Sequence, residues 1–123
     1  MKNPFIWATF YSILAALGQL LLKAGTNQIG KFSFSNFSEF LGLVVQGIKN
    51  PFILAGIILF VFGFFLWIMI ISSFQLGVVF PLTAMVYIFV AWMSFFTLGE
   101  TLGLINYFGM LLIALGIYFL LYR

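Results

Sequence analysis

The sequence contains no cysteine and no histidine, and its only acidic side chains are two glutamates, Glu39 and Glu100. Without Cys there is no disulfide and no thiol nucleophile. Without His the usual zinc and imidazole chemistry is closed. Neither absence says anything about redox compartment. Two isolated carboxylates make neither a hydrolytic pair nor a metal site, so the expectation is a protein that is not an enzyme, with no catalytic residue, no metal and no cofactor. Basic residues are scarce too. Five Lys and Arg give a net charge of +3 without any basic cluster, which argues against nucleic acid as a partner.

What remains is apolar. Of 123 residues, 65% are hydrophobic, and the mean hydropathy of +1.27 lies far outside the range of soluble domains. Only helices and closed barrels satisfy their backbone groups in lipid. The runs here are continuous rather than alternating, so helices are expected. The fold class is therefore all-α: an integral membrane protein with four transmembrane helices and a short interfacial amphipathic helix between the first and second. All of it forms a single domain, with spans at about 4–22, 51–71, 77–98 and 102–122 and the interfacial helix at about 36–49.

The clearest run is Gly77 to Leu98, free of charge and roughly 33 Å long at about 1.5 Å per residue, enough to cross a bilayer core of about 30 Å. Thr83, Tyr87, Ser94 and Thr97 recur along it at spacings that keep them near one face, so that face should meet something other than lipid. Pro81, in its first turns, is tolerated there, is expected to bend the helix slightly, and frees one backbone carbonyl.

Pro4 is placed to open the first span. Its basic start and apolar run resemble a signal peptide, but Gln19 to Lys23 offers no small-residue cleavage site, so it reads as a retained helix. Ala8, Ser12, Ala15, Ala16, Gln19 and Lys23 fall on one stripe, which should face protein. Gln19 either bonds a neighbouring backbone or lines a cavity. Lys23 either snorkels to the headgroups or serves as a ligand.

The stretch from Gly25 to Ser35 reads as loop. From Asn36 to Lys49, Phe37, Phe40, Leu41, Val44, Val45 and Ile48 recur with helical period, with Ser35 or Asn36 as cap and Glu39 suited to the helix dipole. This helix is too short to span and should lie in the membrane interface, as a spacer or as a gate over a cavity entrance. In the second span Gly56 and Gly63 suggest a close-packed face ending in Trp67, which is either an interfacial belt residue or a cavity wall. In the fourth, Gly109 and Gly116 with Ile113 between them form a small-residue seam suited to close helix approach. Glu100, before the fourth span, either complements its dipole, with Thr101 as cap, or meets substrate. Lys2 and Arg123 on one side, against Lys23, Lys31 and Lys49 on the other, leave the orientation open, and near-balance is what a dual-topology, antiparallel homodimer would show.

Four segments, GQLLLKAG (Gly18–Gly25), LWIMIISSFQLGVVFPLTA (Leu66–Ala84), LGETLG (Leu98–Gly103) and GMLLIALGIYFLL (Gly109–Leu121), resemble in order and spacing the four-helix, EamA-like members of the drug/metabolite transporter superfamily. The final glycine seam is similar to the dimer-forming helix of the small multidrug resistance transporters. That branch uses a membrane-embedded glutamate in its first helix, and Ala15 stands at the matching position here. With no carboxylate inside any span, the proton-coupled multidrug mechanism lacks its titrating group.

The closer resemblance is to the paired small subunits that flip undecaprenyl-phosphate-linked aminoarabinose, through Gly18, Gln19 and Lys23 and through Gly77, Val78, Phe80 and Pro81. It implies a multi-pass protein of the inner (cytoplasmic) membrane and a lipid-linked sugar phosphate as substrate. It also implies a homodimer, antiparallel included, or a heterodimer with a paralogous subunit. Lys23 would meet the phosphate beside Gln19. Ser12, Thr83, Tyr87 and Ser94 could bond the sugar from facing walls, with Trp67 and Glu100 as further candidates. The alternatives are efflux of small amphiphilic molecules and a non-transporting membrane subunit of a glycolipid pathway.

Overall fold

The computed structural model describes residues 2–30 and 35–122, so Lys31 and Arg123, which enter the orientation count, lie outside the described residues. The described chain is all-α: α1 (Pro4–Ile29), α2 (Phe37–Lys49), α3 (Pro51–Ser73), α4 (Leu76–Leu82), α5 (Met85–Thr97) and α6 (Leu104–Leu121). By length and hydropathy α1, α3, the α4–α5 segment and α6 can each cross a membrane, and the chain is a multi-pass membrane protein.

The same five residues, Lys-Asn-Pro-Phe-Ile, open α1 (from Lys2) and α3 (from Lys49). Each proline takes the first helical position, where its missing N–H costs nothing, and each asparagine caps. Asn3 Oδ1 accepts from Phe5 N at 2.9 Å, and Asn50 Oδ1 from Phe52 N at 2.9 Å and Ile53 N at 3.2 Å. The two helices start at opposite ends of the molecule. The chain passes up, down, up and down, with the starts of α1 and α4 and the end of α6 together at one end.

α1 packs chiefly on α3, then on α5 and α4, and is the hub of the fold. Its seam with α3 is glycine-made, as the spacing of Gly56 and Gly63 suggests. A Cβ on Gly56 would stand 3.1 Å from the Gly18 carbonyl and 3.0 Å from Leu22, and one on Gly63 would meet Tyr11 and Leu14. The first span corrects its expected end near Leu22, running 26 residues to Ile29. Gly25 is therefore no loop residue. It is buried, and a Cβ there would collide with Ile53 Cγ1 and lie 3.1 Å from Ile53 N. Tertiary contact with the start of α3 outweighs the turn propensity of the sequence. The helix closes at Gly30, whose φ of 103° suits glycine and whose N–H returns to Thr26 O at 2.8 Å.

α2 is capped as the sequence allows. Asn36 Oδ1 accepts from Glu39 N at 2.9 Å, while Glu39 Oε2 accepts from Ser35 N at 2.9 Å and Ser35 Oγ at 3.0 Å, a near capping box. Its apolar face, Phe37 to Ile48, is exposed, and only Gly47 is buried.

The third span runs from Leu76 to Thr97, and the disturbance expected after Pro81 takes the form of a short turn at Thr83 and Ala84, both still in the right-handed helical region, between α4 and α5. Pro81 donates nothing to the Gly77 carbonyl. Beyond it the bonds tighten to a 3₁₀ pattern, with Thr83 N to Phe80 O at 3.1 Å, Ala84 N to Pro81 O at 3.0 Å and Val86 N to Thr83 O at 2.9 Å. Thr83 Oγ1 also donates to Phe80 O at 2.5 Å, competing for that carbonyl. Gly99, at φ 69°, makes the next turn. α6 then begins at Leu104 with Gly103 as its N-cap and no side-chain cap, so neither the expected start at Leu102 nor the Thr101 cap occurs.

A small core of Ala8, Leu82, Met85 and Ile117 ties α1, α4, α5 and α6 at one end, with Ile113 and Phe89 packed against it. Ile53, Ile70 and Val79 are buried in other contacts between helices, and many of the remaining apolar side chains face outward, which is no penalty in lipid.

Candidate functional site

The stripe on α1 is divided by the fold. Ala8, Ser12, Ala15 and Ala16 are buried, whereas Gln19 and Lys23 are exposed. At about 1.5 Å per residue, Ser12 lies roughly 12 Å from Pro4 along the axis and Lys23 roughly 29 Å. In a core about 30 Å thick the stripe runs from mid-membrane to the far boundary. Because α1 continues past Lys23 to Ile29, the lysine sits within the helix rather than at its end.

Ser12 is fully buried and its Oγ has no hydrogen-bond partner among the described residues. A buried unpaired hydroxyl costs about 1–3 kcal/mol, and an intramembrane serine ordinarily avoids this by donating to its own helix. It lies one turn beyond Ala8, which packs against Leu82 and Met85. Thr9 on the same edge meets Met85 Sδ at 3.7 Å and donates to Phe5 O at 2.7 Å. Ser12 is therefore turned toward the α4–α5 side of the molecule.

The hydroxyl line of the third span is less available as a donor set. Besides Thr83, Ser94 Oγ donates to Ala91 O at 3.1 Å and Thr97 Oγ1 to Met93 O at 2.7 Å. Their oxygens remain able to accept. Ser94 is buried, Thr83 half-buried, and Tyr87, one turn further on, is 68% exposed. Glu100 is exposed in the α5–α6 turn, its backbone N–H directed at Ser94 O at 3.4 Å.

Trp67 belongs to a different surface. Its ring lies 5.2 Å from that of Tyr11 and 6.1 Å from that of Phe80, in a hollow of about 300 Å³ shared with Phe60 and Gly63. Tyr11 is the participant that the sequence reading overlooks, because it falls outside the stripe of small and polar residues on α1. Of the seam residues on α6, Ile113 packs into the core of its own chain, while nothing lies within 4 Å of a Cβ placed on Gly109 or Gly116. Among the described residues no three His, Cys, Asp or Glu side chains converge to hold a metal. The stripe places a cation, an amide and a buried hydroxyl in series along α1.

Over 121 residues the chain is 25% identical to a Proteus mirabilis protein described as "Probable 4-amino-4-deoxy-L-arabinose-phosphoundecaprenol flippase subunit", a match covering 96% of this chain and 91% of that one. No protein-family model matches the chain, and no solved structure does.

Proposed function

We propose that this protein is a subunit of a flippase that moves a polyprenyl-phosphate-linked sugar between the leaflets of the cytoplasmic membrane by alternating access. The observation that carries the reading is the near full-length likeness to a relative described as a flippase subunit. The α1 stripe supports it: Lys23 would hold the phosphate, Gln19 beside it would donate to phosphate or sugar, and Ser12 would offer an unpaired hydroxyl deeper in the membrane. A single four-helix chain encloses little space, so the working unit is a dimer, with a second copy or a paralogous subunit.

Reconstitution into proteoliposomes with fluorescent lipid-linked aminoarabinose and its non-amino analogues tests the reading, with and without a paralogous partner chain. Losing a charge-assisted phosphate contact is worth about 1.5–3 kcal/mol, so Lys23→Ala should slow flipping roughly ten- to hundredfold, and Lys23→Arg should retain most of it. Transport of a cationic dye in place of lipid, unaffected by Lys23→Ala, would sink the proposal.

A further inference from the structure

The circumference of α2 is divided three ways. At about 100° per residue, Leu43 and Gly47 lie roughly 40° apart and form the side turned to the bundle. Gly47 is buried and Leu43 half-buried, and a Cβ on Gly47 would stand 3.9 Å from Ile53 Cγ2. Phe37, Phe40, Leu41, Val44, Val45 and Ile48 fill an adjoining arc of about 140°, and all six are exposed. Ser38, Glu39, Gly42, Gln46 and Lys49 fill the remaining arc of about 100° and are exposed as well. The centres of the three arcs stand roughly 110–140° from one another. Each arc therefore meets different surroundings.

The root of α2 fixes its depth. Ile53, which faces Gly47, also abuts Gly25 of α1. Gly25 lies roughly 32 Å along the α1 axis from Pro4, at the far edge of a core about 30 Å thick. Asn50 ties the same corner to Gln28 at 3.0 Å. The helix thus leaves the bundle where acyl chains give way to headgroups. From Ile48 its apolar arc continues to Phe52, exposed at the start of the spanning α3.

We propose that α2 docks on the headgroup–acyl boundary of the bilayer as a flat anchor. Its apolar arc enters the lipid, its polar arc faces water, and Leu43 and Gly47 lie alongside the start of α3. A gate over a cavity entrance would turn the apolar arc toward the bundle, whereas this arc is turned away from it. A second copy is the weaker cover. Contacts between helices in membranes favour small residues, and the arc holds two phenylalanines and no Gly, Ala, Ser or Thr. The rings of Phe37 and Phe40, 6.2 Å apart, suit burial at this depth, and Lys49 on the polar arc can reach the headgroups. The docking does not depend on what the protein transports.

The chain contains no cysteine, so single cysteines along α2 can each carry a nitroxide in the full-length protein. EPR relaxation in nanodiscs of phosphatidylcholine and phosphatidylglycerol compares oxygen, which concentrates in lipid, with a nickel chelate, which stays in water. Leu41→Cys, Val44→Cys and Ile48→Cys labels should favour oxygen several-fold. Ser38→Cys and Gln46→Cys labels should favour nickel by a similar factor, and a Leu43→Cys label should be shielded from both. A phosphatidylcholine with a diazirine near its ester should also label residues 37–48 of the unsubstituted chain, a readout that no misfolded variant can confuse. Nickel access all round α2 would overturn the docking, as would an absence of photolabel there. So would an apolar arc shielded from both agents in dimers and opened on dilution to monomers, the result expected of a second copy. Neither readout involves transport, so a failure of the flippase reading leaves this one standing.

Discussion

At the scale of single residues, Asn50 holds three helix ends at once. Its backbone N–H closes α2 on Gly47 O at 3.2 Å, its Oδ1 caps α3, and its Nδ2 donates to Gln28 Oε1 at 3.0 Å near the end of α1. Asn50→Ala removes the cap and the tie to α1, and should cost about 1–2 kcal/mol for the cap and about 0.5–1.5 kcal/mol for the further bond. Thermal unfolding in detergent measures this. Asn50→Asp keeps the acceptor but not the donor and should recover most of the loss. If Ala and Asp behave alike, the cap is not what stabilises this corner.

At the scale of elements, the first turn of α2 is held by one ionised side chain beside the Asn36 cap. The backbone N–H and hydroxyl of Ser35 hold the Glu39 carboxyl below its usual value. A carboxyl depressed in the folded state contributes stability above its unfolded value of about 4.3, and that stability is lost as pH falls through the folded value. The first turn of α2 should therefore fray under acid conditions while its last turn, packed through Gly47 against α3, stays formed. NMR secondary shifts of residues 37–41 in a membrane mimetic, followed on acidification, report this. Glu39→Gln keeps an acceptor for Ser35 but cannot ionise, so it should lose the pH response, and a retained pH response in that variant would assign the effect elsewhere. The tightened turn at Thr83–Ala84 is also an element property, following from Pro81 and a threonine that bonds its own helix.

At the scale of the whole molecule, α6 is loosely held. Only Ile117 of its residues is buried, and its contacts are concentrated near the core at one end. A Cβ on Gly109 or Gly116 would meet nothing within 4 Å, so the seam is open to a second subunit, as the proposed dimer requires. Replacing both glycines with Leu should weaken dimerisation at least tenfold, about 1.4 kcal/mol. Analytical ultracentrifugation in detergent would show the shift to monomer, and an unchanged dimer would exclude this contact.

Much of this molecule was legible without coordinates. The scarcity of charge and the continuous apolar runs determine four helices able to span a membrane, because lipid leaves the backbone no other partner than itself. The period of Phe37 to Ile48, the two Asn-Pro starts and the glycines of α3 are local signals that their surroundings agree with. The sequence does not reveal which of several satisfactory local states the neighbours select. Gly25 carries a loop signature, yet it is helical because Ile53 leaves room there only for a glycine. Pro81 permits a bend, and the neighbouring Thr83 hydroxyl accompanies a tightened turn. Gln19 and Lys23 share a stripe with Ser12, but packing by α3, α4 and α5 buries the serine and leaves the other two exposed. Burial and separation depend on contacts distant in sequence, so only the tertiary structure decided them.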